Sequence, residues 1–263
     1  MKTALCYSGQ IGAFDKAISS QKKSFLSDCD DIYAYTSNVI SHKTHKHVWH
    51  KPSSNVYEYL KAGEGWRKNT TDYGVVYKVD NNLVKDQLSP VKDKLKDFHI
   101  MDECLDDTLE DWNMSKWEWL RKRQLNKLYR CNEMLKDSDT EYDIVVRCRF
   151  EFSPHLLIPI KHIYSKHGGE NVVFLFGGWK CVPPMVFMDE FICDGFAFGS
   201  PRVMDVFSSL YLRSDPYPYN PKYKECWEKF GDNVEYQLRT HLEENGIEII
   251  YLGNERSMYH LHR

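Results

Sequence analysis

Tyr142–Phe152 most narrows what this chain can become, because it reads as a buried strand that carries charge. Side chains of an extended segment alternate between faces, so Tyr142, Ile144, Val146, Cys148, Phe150 and Phe152 share one side. Asp143, Val145, Arg147, Arg149 and Glu151 share the other. Two arginines and a carboxylate thus fall on one face near the C-terminal end of the strand. Burying such charges unpaired is costly, so they require partners or a ligand. Forked guanidinium N–H groups suit a diphosphate, and a carboxylate beside them suits a divalent metal. The pattern favours the ligand reading, and it also allows an Arg–Glu network that only orders the sheet.

Strand-like and helix-like segments alternate around it. Thr3–Tyr7 is a short apolar run ending in Ser8-Gly9-Gln10-Ile11-Gly12, as a first parallel strand enters a glycine turn and then a helix, here Asp15–Leu26. Asp31–Thr36 reads as a second strand and Val75–Val79 as a third, with Val91–Phe98 a short helix leading to Ile100-Met101. His42–Arg67 is polar and poorly periodic and reads as a long loop. Trp117, Leu120, Gln124, Leu125, Leu128, Cys131 and Leu135 recur near the helical period, which predicts a helix over Trp117–Leu135. Asn171–Phe176 is a further strand ending at Gly177-Gly178, and a loop with Pro183-Pro184 leads to another at Phe191–Phe198. Helices at Arg202–Tyr211 and Asp232–Asn245 precede a last strand, Gly246–Leu252.

This alternation predicts one α/β domain over residues 1–263, with a mostly parallel central sheet and helices on both faces. In such sheets ligands sit outside the C-terminal ends of the strands. That rule points to Ser8–Gly12, Arg149–Ser153 and the Gly177-Gly178-Trp179 turn.

Composition excludes several partners. The 35 basic and 38 acidic residues are mixed along the chain, net −3, so neither nucleic acid nor an anionic membrane is expected as the principal partner. No stretch approaches the roughly 18 to 20 apolar residues of a transmembrane segment, and the first residues turn polar too soon for a signal sequence. The eight cysteines are scattered without a C-x-x-C pair, and Cys6 and Cys148 lie inside apolar runs. They read as reduced, buried thiols, which suits a cytoplasmic protein and makes the sequons at Asn69 and Asn113 chance matches.

Tyr142-Asp143-Ile144-Val145-Val146-Arg147-Cys148-Arg149-Phe150-Glu151 resembles the YD-hydrophobic-R-x-R-[FP]-D signature of a group of bacterial and large-virus glycosyltransferases with the A-type fold. Ser8-Gly9-Gln10 resembles that group's N-terminal SGQ motif, and Asp31–Thr36 is similar to its second strand, D-[IV]-[FY]-x-x-T. Asp194-Gly195-Phe196-Ala197-Phe198-Gly199-Ser200 is similar to its D-x-F-[AG]-hydrophobic-G-S segment, which precedes a helix carrying Met204. Glu235 stands where the group often has a carboxylate at the start of the last helix. The matches occur in family order over most of the chain. Two positions depart: Glu151 stands for the usual Asp, and Gly12 for a frequent Arg. Asp28-Cys29-Asp30 and Asp137-Ser138-Asp139 read as turns rather than as a D-x-D at a strand end.

The resemblance implies transfer of a sugar from a nucleotide-sugar donor, a UDP- or GDP-sugar, to a glycan or glycoprotein acceptor. It implies donor binding by Ser8, Gly9, Gln10, Arg147 and Arg149, with Glu151 as ligand to Mn²⁺ or Mg²⁺. A helix N-terminus after Gly9 would favour the donor phosphates. Asp189, Glu190 and Asp194 lie in one segment, and an inverting transferase needs a carboxylate base; Asp194 is the favoured one and Glu235 the second. Trp179 offers a flat face for an acceptor sugar. His42, His45, His47 and His50 read as a solvated loop rather than a metal site, while His260 and His262 are candidates to complete a metal shell. The other readings are a non-catalytic nucleotide- or glycan-binding module and another α/β transferase moving phosphate or sulfate, the latter without a G-x-x-x-x-G-K-[ST] loop.

Overall fold

The structure, a computed structural model, describes residues 1–42, 69–71, 74–102, 121–179, 187–221, 234–253 and 259–261. In chain order its strands are β1 (Thr3–Ser8), β2 (Asp31–Ser37), β3 (Val39–His42), β4 (Asn69–Thr71), β5 (Gly74–Lys78), β6 (Leu95–Met101), β7 (Ile144–Cys148), β8 (Phe152–Pro154), β9 (Val172–Trp179), β10 (Phe187–Gly199), β11 (Glu248–Tyr251) and β12 (Tyr259–Leu261). The α-helices are α1 (Phe14–Ser24), α2 (Asn81–Gln87), α3 (Asn126–Lys136), α4 (Ile160–His167), α5 (Pro201–Ser209) and α6 (Val234–Glu244).

Seven strands form the central sheet in the order β11-β9-β10-β7-β1-β2-β6. Every neighbouring pair is parallel except those made by β10, which runs antiparallel to both β7 and β9. The α/β class and the mostly parallel sheet follow from β1 and β7, which are buried along their whole length and so need cover on both sides. β1 sends Ala4 and Cys6 into one core cluster and Leu5 and Tyr7 into the other. Leu128 of α3, Met204 of α5 and Leu242 of α6 complete the first cluster. Phe14 of α1, Val84 of α2 and Ile160 of α4 complete the second.

Four segments depart from the sequence expectation. The strand read over Tyr142–Phe152 stops at Cys148, turns, and resumes as β8, which leaves the main sheet to pair with β12. Val91–Phe98 is not a helix: a 3₁₀ turn at Ser89–Val91 leads into β6. β6 is the sheet's edge, with its middle residues exposed, so it lacks the apolar pattern of a buried strand. The third strand, β5, pairs with β3 and β4 in a separate antiparallel sheet. The predicted long helix is a π-turn at Arg121–Leu125 continued by α3; its first part, residues 117–120, lies outside the described residues, as do residues 43–67 of the long loop, Pro183-Pro184 and Asn113.

The five described cysteines (Cys6, Cys29, Cys131, Cys148 and Cys193) are free and buried, in line with the sequence reading. Among the described residues no helix is long and apolar enough to cross a membrane.

α6 docks on β10 and α5 through a buried histidine. His241 Nε2 lies 2.9 Å from the Val206 carbonyl, so that nitrogen carries the proton, and Nδ1 accepts from the Tyr217 hydroxyl at 2.8 Å. Burial holds the His241 pKa below the ordinary value, and the cation of Arg213, 3.6 Å above the Tyr217 ring, works in the same direction. The folded state thus binds this proton less readily than the unfolded chain. The contribution of His241 to stability is complete above about pH 6.5, the ordinary value, and is lost as pH falls below it through the depressed folded pKa. The melting temperature of the wild-type chain is expected to fall between pH 7.5 and 5.5 more steeply than that of His241→Gln. Equal slopes for the two would refute the assignment.

Candidate functional site

β1, β2, β7 and β9 end on the same rim of the sheet, because their pairings make them mutually parallel. β1 ends at Ser8, whose hydroxyl is buried without a hydrogen-bond partner among the described residues. The next residue, Gly9, has φ +120°, a backbone conformation that side-chain-bearing residues rarely adopt. Its N–H donates to the Tyr35 carbonyl at 3.3 Å, and its own carbonyl accepts from Thr36 Oγ1 at 2.8 Å. The chain reverses there and enters α1, whose N-cap residue, Ala13, supplies no side-chain cap. The sequence reading of strand, glycine turn and helix therefore holds at this end.

β7 ends at Cys148, and the following turn is held from two sides. The Arg149 N–H donates to the Gly195 carbonyl of β10 at 2.9 Å. Phe150 is fully buried against Tyr7 and Phe14, with ring centroids 5.1 and 5.3 Å away. Gln21 of α1 donates to the carbonyls of Phe150 and Phe152, at 3.3 and 2.7 Å, and accepts from the Tyr7 hydroxyl at 2.5 Å. With Phe150 committed to the core, its charged neighbours meet each other. Arg149 Nη2 pairs with Glu151 Oε1, and Arg149 Nη1 donates to Asp194 Oδ2 at 3.0 Å.

Asp194 reaches this point because β10 is irregular. Its register on β9 shifts between Phe187 and Ile192 and again between Ile192 and Ala197, so Asp194 lies within a distorted stretch. β10 pairs with β7 only from Phe196 onward, which carries Asp194 past the end of β7. Its Oδ2 also accepts a hydrogen bond from Gln124 Nε2 in the π-turn.

Arg147 and Arg149 live in opposite electrostatic settings. Burial works to lower the Arg149 pKa, but Glu151 and Asp194 more than offset it and hold the guanidinium firmly charged. Arg147 sits in register between Cys6 of β1 and Ala197 of β10 and is 3% exposed. Its Nε and Nη1 have no hydrogen-bond partner among the described residues, and burial depresses its pKa, only partly opposed by Asp194. Glu151, 5% exposed, keeps Oε2 buried and without a partner among the described residues. Orphaned donors and an orphaned acceptor therefore sit on one turn and its strand, which is unusual for buried polar atoms.

Arg147, Arg149, Glu151 and Asp194 are thus gathered at the rim, with Ser8 and Gly9 at the end of the neighbouring strand. Gln10 follows them in the turn before α1. Arg149 and Asp194, read from the sequence as separate donor-binding and catalytic groups, form one ion pair. Glu235 lies in the first turn of α6, half-buried, on a helix that packs against β10. Trp179 ends β9 at the same rim, and Asp189 and Glu190 lie in β10; their side chains are outside the described ones. Among the described residues no three His, Cys, Asp or Glu gather as a metal site. Glu151 Oε2 fits a single oxygen ligand to a hard cation. β12 sets the His260 backbone opposite Ser153, two residues beyond Glu151; His262, like His45, His47 and His50, is outside the described residues. Asp28-Cys29-Asp30 and Asp137-Ser138-Asp139 fall in turns, as read.

One further residue belongs to this rim. Gln124 occupies the apolar stripe of the predicted helix, and an amide at such a position was the signal that it has a polar target. Lys127, three residues on, is buried on the same helix face as Cys131, whose thiol donates to the Tyr7 carbonyl at 3.3 Å. A scan against models of protein families finds no match, and a search of curated proteins finds none.

The two arginines should respond oppositely to substitution. Arg149→Met strands two buried carboxylates and is expected to cost about 3–5 kcal/mol. Arg147→Met removes a desolvated cation with unmade hydrogen bonds and is expected to raise stability, by about 1 kcal/mol or more. Urea unfolding of both variants measures this, and a destabilised Arg147→Met would show that its guanidinium is satisfied in the folded chain.

Proposed function

We propose that the chain is a glycosyltransferase that moves a sugar from a nucleoside-diphosphate donor, a UDP- or GDP-sugar, to a glycan or glycoprotein acceptor. The observation that carries this reading is Arg147, a buried guanidinium whose Nε and Nη1 have no hydrogen-bond partner among the described residues, at the C-terminal rim of a mostly parallel sheet. A guanidinium held in that state has N–H groups to give to phosphate oxygens, and the desolvation already incurred makes each charge-assisted bond strong. The α1 N-terminus and the Ser8 hydroxyl lie at the end of the adjacent strand, where N–H groups and a hydroxyl suit phosphate oxygens.

The remaining groups divide the work. Glu151, through Oε2, would hold Mn²⁺ or Mg²⁺. Such an ion would neutralise charge on the departing diphosphate. Arg149 does not need to touch the donor in this scheme: it fixes the carboxylates of Glu151 and Asp194 relative to each other. Asp194 takes the proton from the acceptor hydroxyl, with Glu235 as the second candidate. Trp179 provides a stacking face for the acceptor sugar.

Thermal shift against UDP, GDP and their hexose conjugates, with and without Mn²⁺, tests the reading directly. One nucleotide family is expected to raise the melting temperature in a dose-dependent way, since a ligand that binds only the folded state stabilises it. Arg147→Lys, which keeps charge but loses the fork, is expected to weaken that nucleotide at least tenfold by calorimetry. Glu151→Gln is expected to abolish the gain from Mn²⁺. Retained nucleotide affinity in Arg147→Lys would remove the central support for a diphosphate site, and a chain stabilised by none of these nucleotides would sink the transferase reading.

A further inference from the structure

We infer that Gln124 is a positioning residue, which acts by setting the orientation and basicity of the Asp194 carboxylate from the π-turn ahead of α3. The inference rests on the transferase reading for its catalytic consequence, but the pairing stands on its own contacts. Asp194 Oδ2 accepts from Arg149 Nη1 on one side and from Gln124 Nε2 on the other. Two donors on one oxygen restrict how the carboxylate can turn. The donors also differ in kind. Arg149 brings full charge and binds Glu151 as well, whereas Gln124 adds a hydrogen bond without adding charge. A neutral donor steadies the carboxylate while leaving it more basic than a second cation would.

The backbone around Gln124 is built for that reach. Arg121–Leu125 is a π-turn, a wider coil that shifts the side chains before it relative to the α-helical ladder of α3. Such turns recur at functional sites, because the extra residue re-aims a side chain. Downstream, Leu128, Cys131 and Leu135 lock α3 into the core, so the π-turn is anchored at its C-terminal end. Charged or titratable groups on the same and neighbouring elements include Arg121 and Lys122 of the π-turn, Arg147 of β7, Lys127, Arg130, Glu133 and Lys136 of α3, Arg202 and Asp205 of α5, and Glu235, Arg239, His241, Glu243 and Glu244 of α6. Of these, Arg147 is coupled electrostatically to Asp194.

Two measurements test this. First, a double-mutant cycle by thermal unfolding, with Gln124→Leu, Asp194→Asn and the pair, reads the contact without any substrate. Non-additive shifts are expected; strictly additive shifts would overturn the pairing. Second, release of nucleoside diphosphate from UDP- and GDP-hexoses is followed against pH. Gln124→Leu is expected to lower kcat about tenfold, with donor KM within twofold of wild type. Its acid limb should move upward, because a lost hydrogen bond makes the carboxylate easier to protonate. Gln124→Glu, which sets a like charge beside Asp194, should move that limb further in the same direction. Equal losses of rate in both variants with the acid limb unmoved would assign Gln124 a structural role only. If the wild-type chain turns over no donor, the transferase reading and the catalytic half of this inference fall together. The cycle then still decides the pairing.

Discussion

Arg149 is the joint on which the rim of this protein depends. Its backbone N–H ties the end of β7 to β10 through Gly195, and its guanidinium ties Glu151 to Asp194. Asp194 in turn receives Gln124, so one side chain connects the turn after β7, the distorted part of β10 and the π-turn before α3. These pieces come from distant parts of the chain and carry like-charged carboxylates that would otherwise repel. A single forked cation between them is the economical solution, since each carboxylate alone would be a costly buried charge.

The turn itself is set by apolar packing. Phe150, between Tyr7 and Phe14, places the charged residues on either side of it outside the core they border. Gln21 then holds the turn's carbonyls, so the backbone polar groups lost from the β7 ladder are recovered by a side chain of α1. The site is thus braced from both core clusters, with α1 on one face and α3 on the other. Against that frame, Nε and Nη1 of Arg147, Oε2 of Glu151 and Oγ of Ser8 are buried with no hydrogen-bond partner among the described residues, a few residues from the paired Gln21 and Arg149.

Much of this was legible in the residue pattern, and the failures have physical reasons. Ser8-Gly9 declared its turn because the apolar run before it and the glycine leave few other solutions. Arg147, Arg149, Glu151 and Asp194 were legible as rim residues because they are charges at the ends of otherwise apolar segments. Their pairing was not. Alternation put Arg147, Arg149 and Glu151 on one face, whereas the turn at Phe150 ends the alternation and hands Arg149 to Asp194. Gln124 escaped because the helical period records where a side chain lies, not what it touches. β6 was mistaken for helix because an edge strand with exposed Lys96 and Asp97 has no buried face to advertise.

By itself, then, the sequence determined the α/β class, the strand and helix segments of the interior, the glycine turn after β1 and the set of charges destined for the rim. Those follow from short-range rules: which residues are apolar, at what period, and which backbone conformations they allow. Tertiary structure decided the rest. It inserted β10 antiparallel between β7 and β9, bent it so that Asp194 meets Arg149, and left two nitrogens of Arg147 without a hydrogen bond to the described residues. Which of two similar arginines is satisfied and which stays open depends on neighbours scores of residues away, and no local pattern encodes that distance.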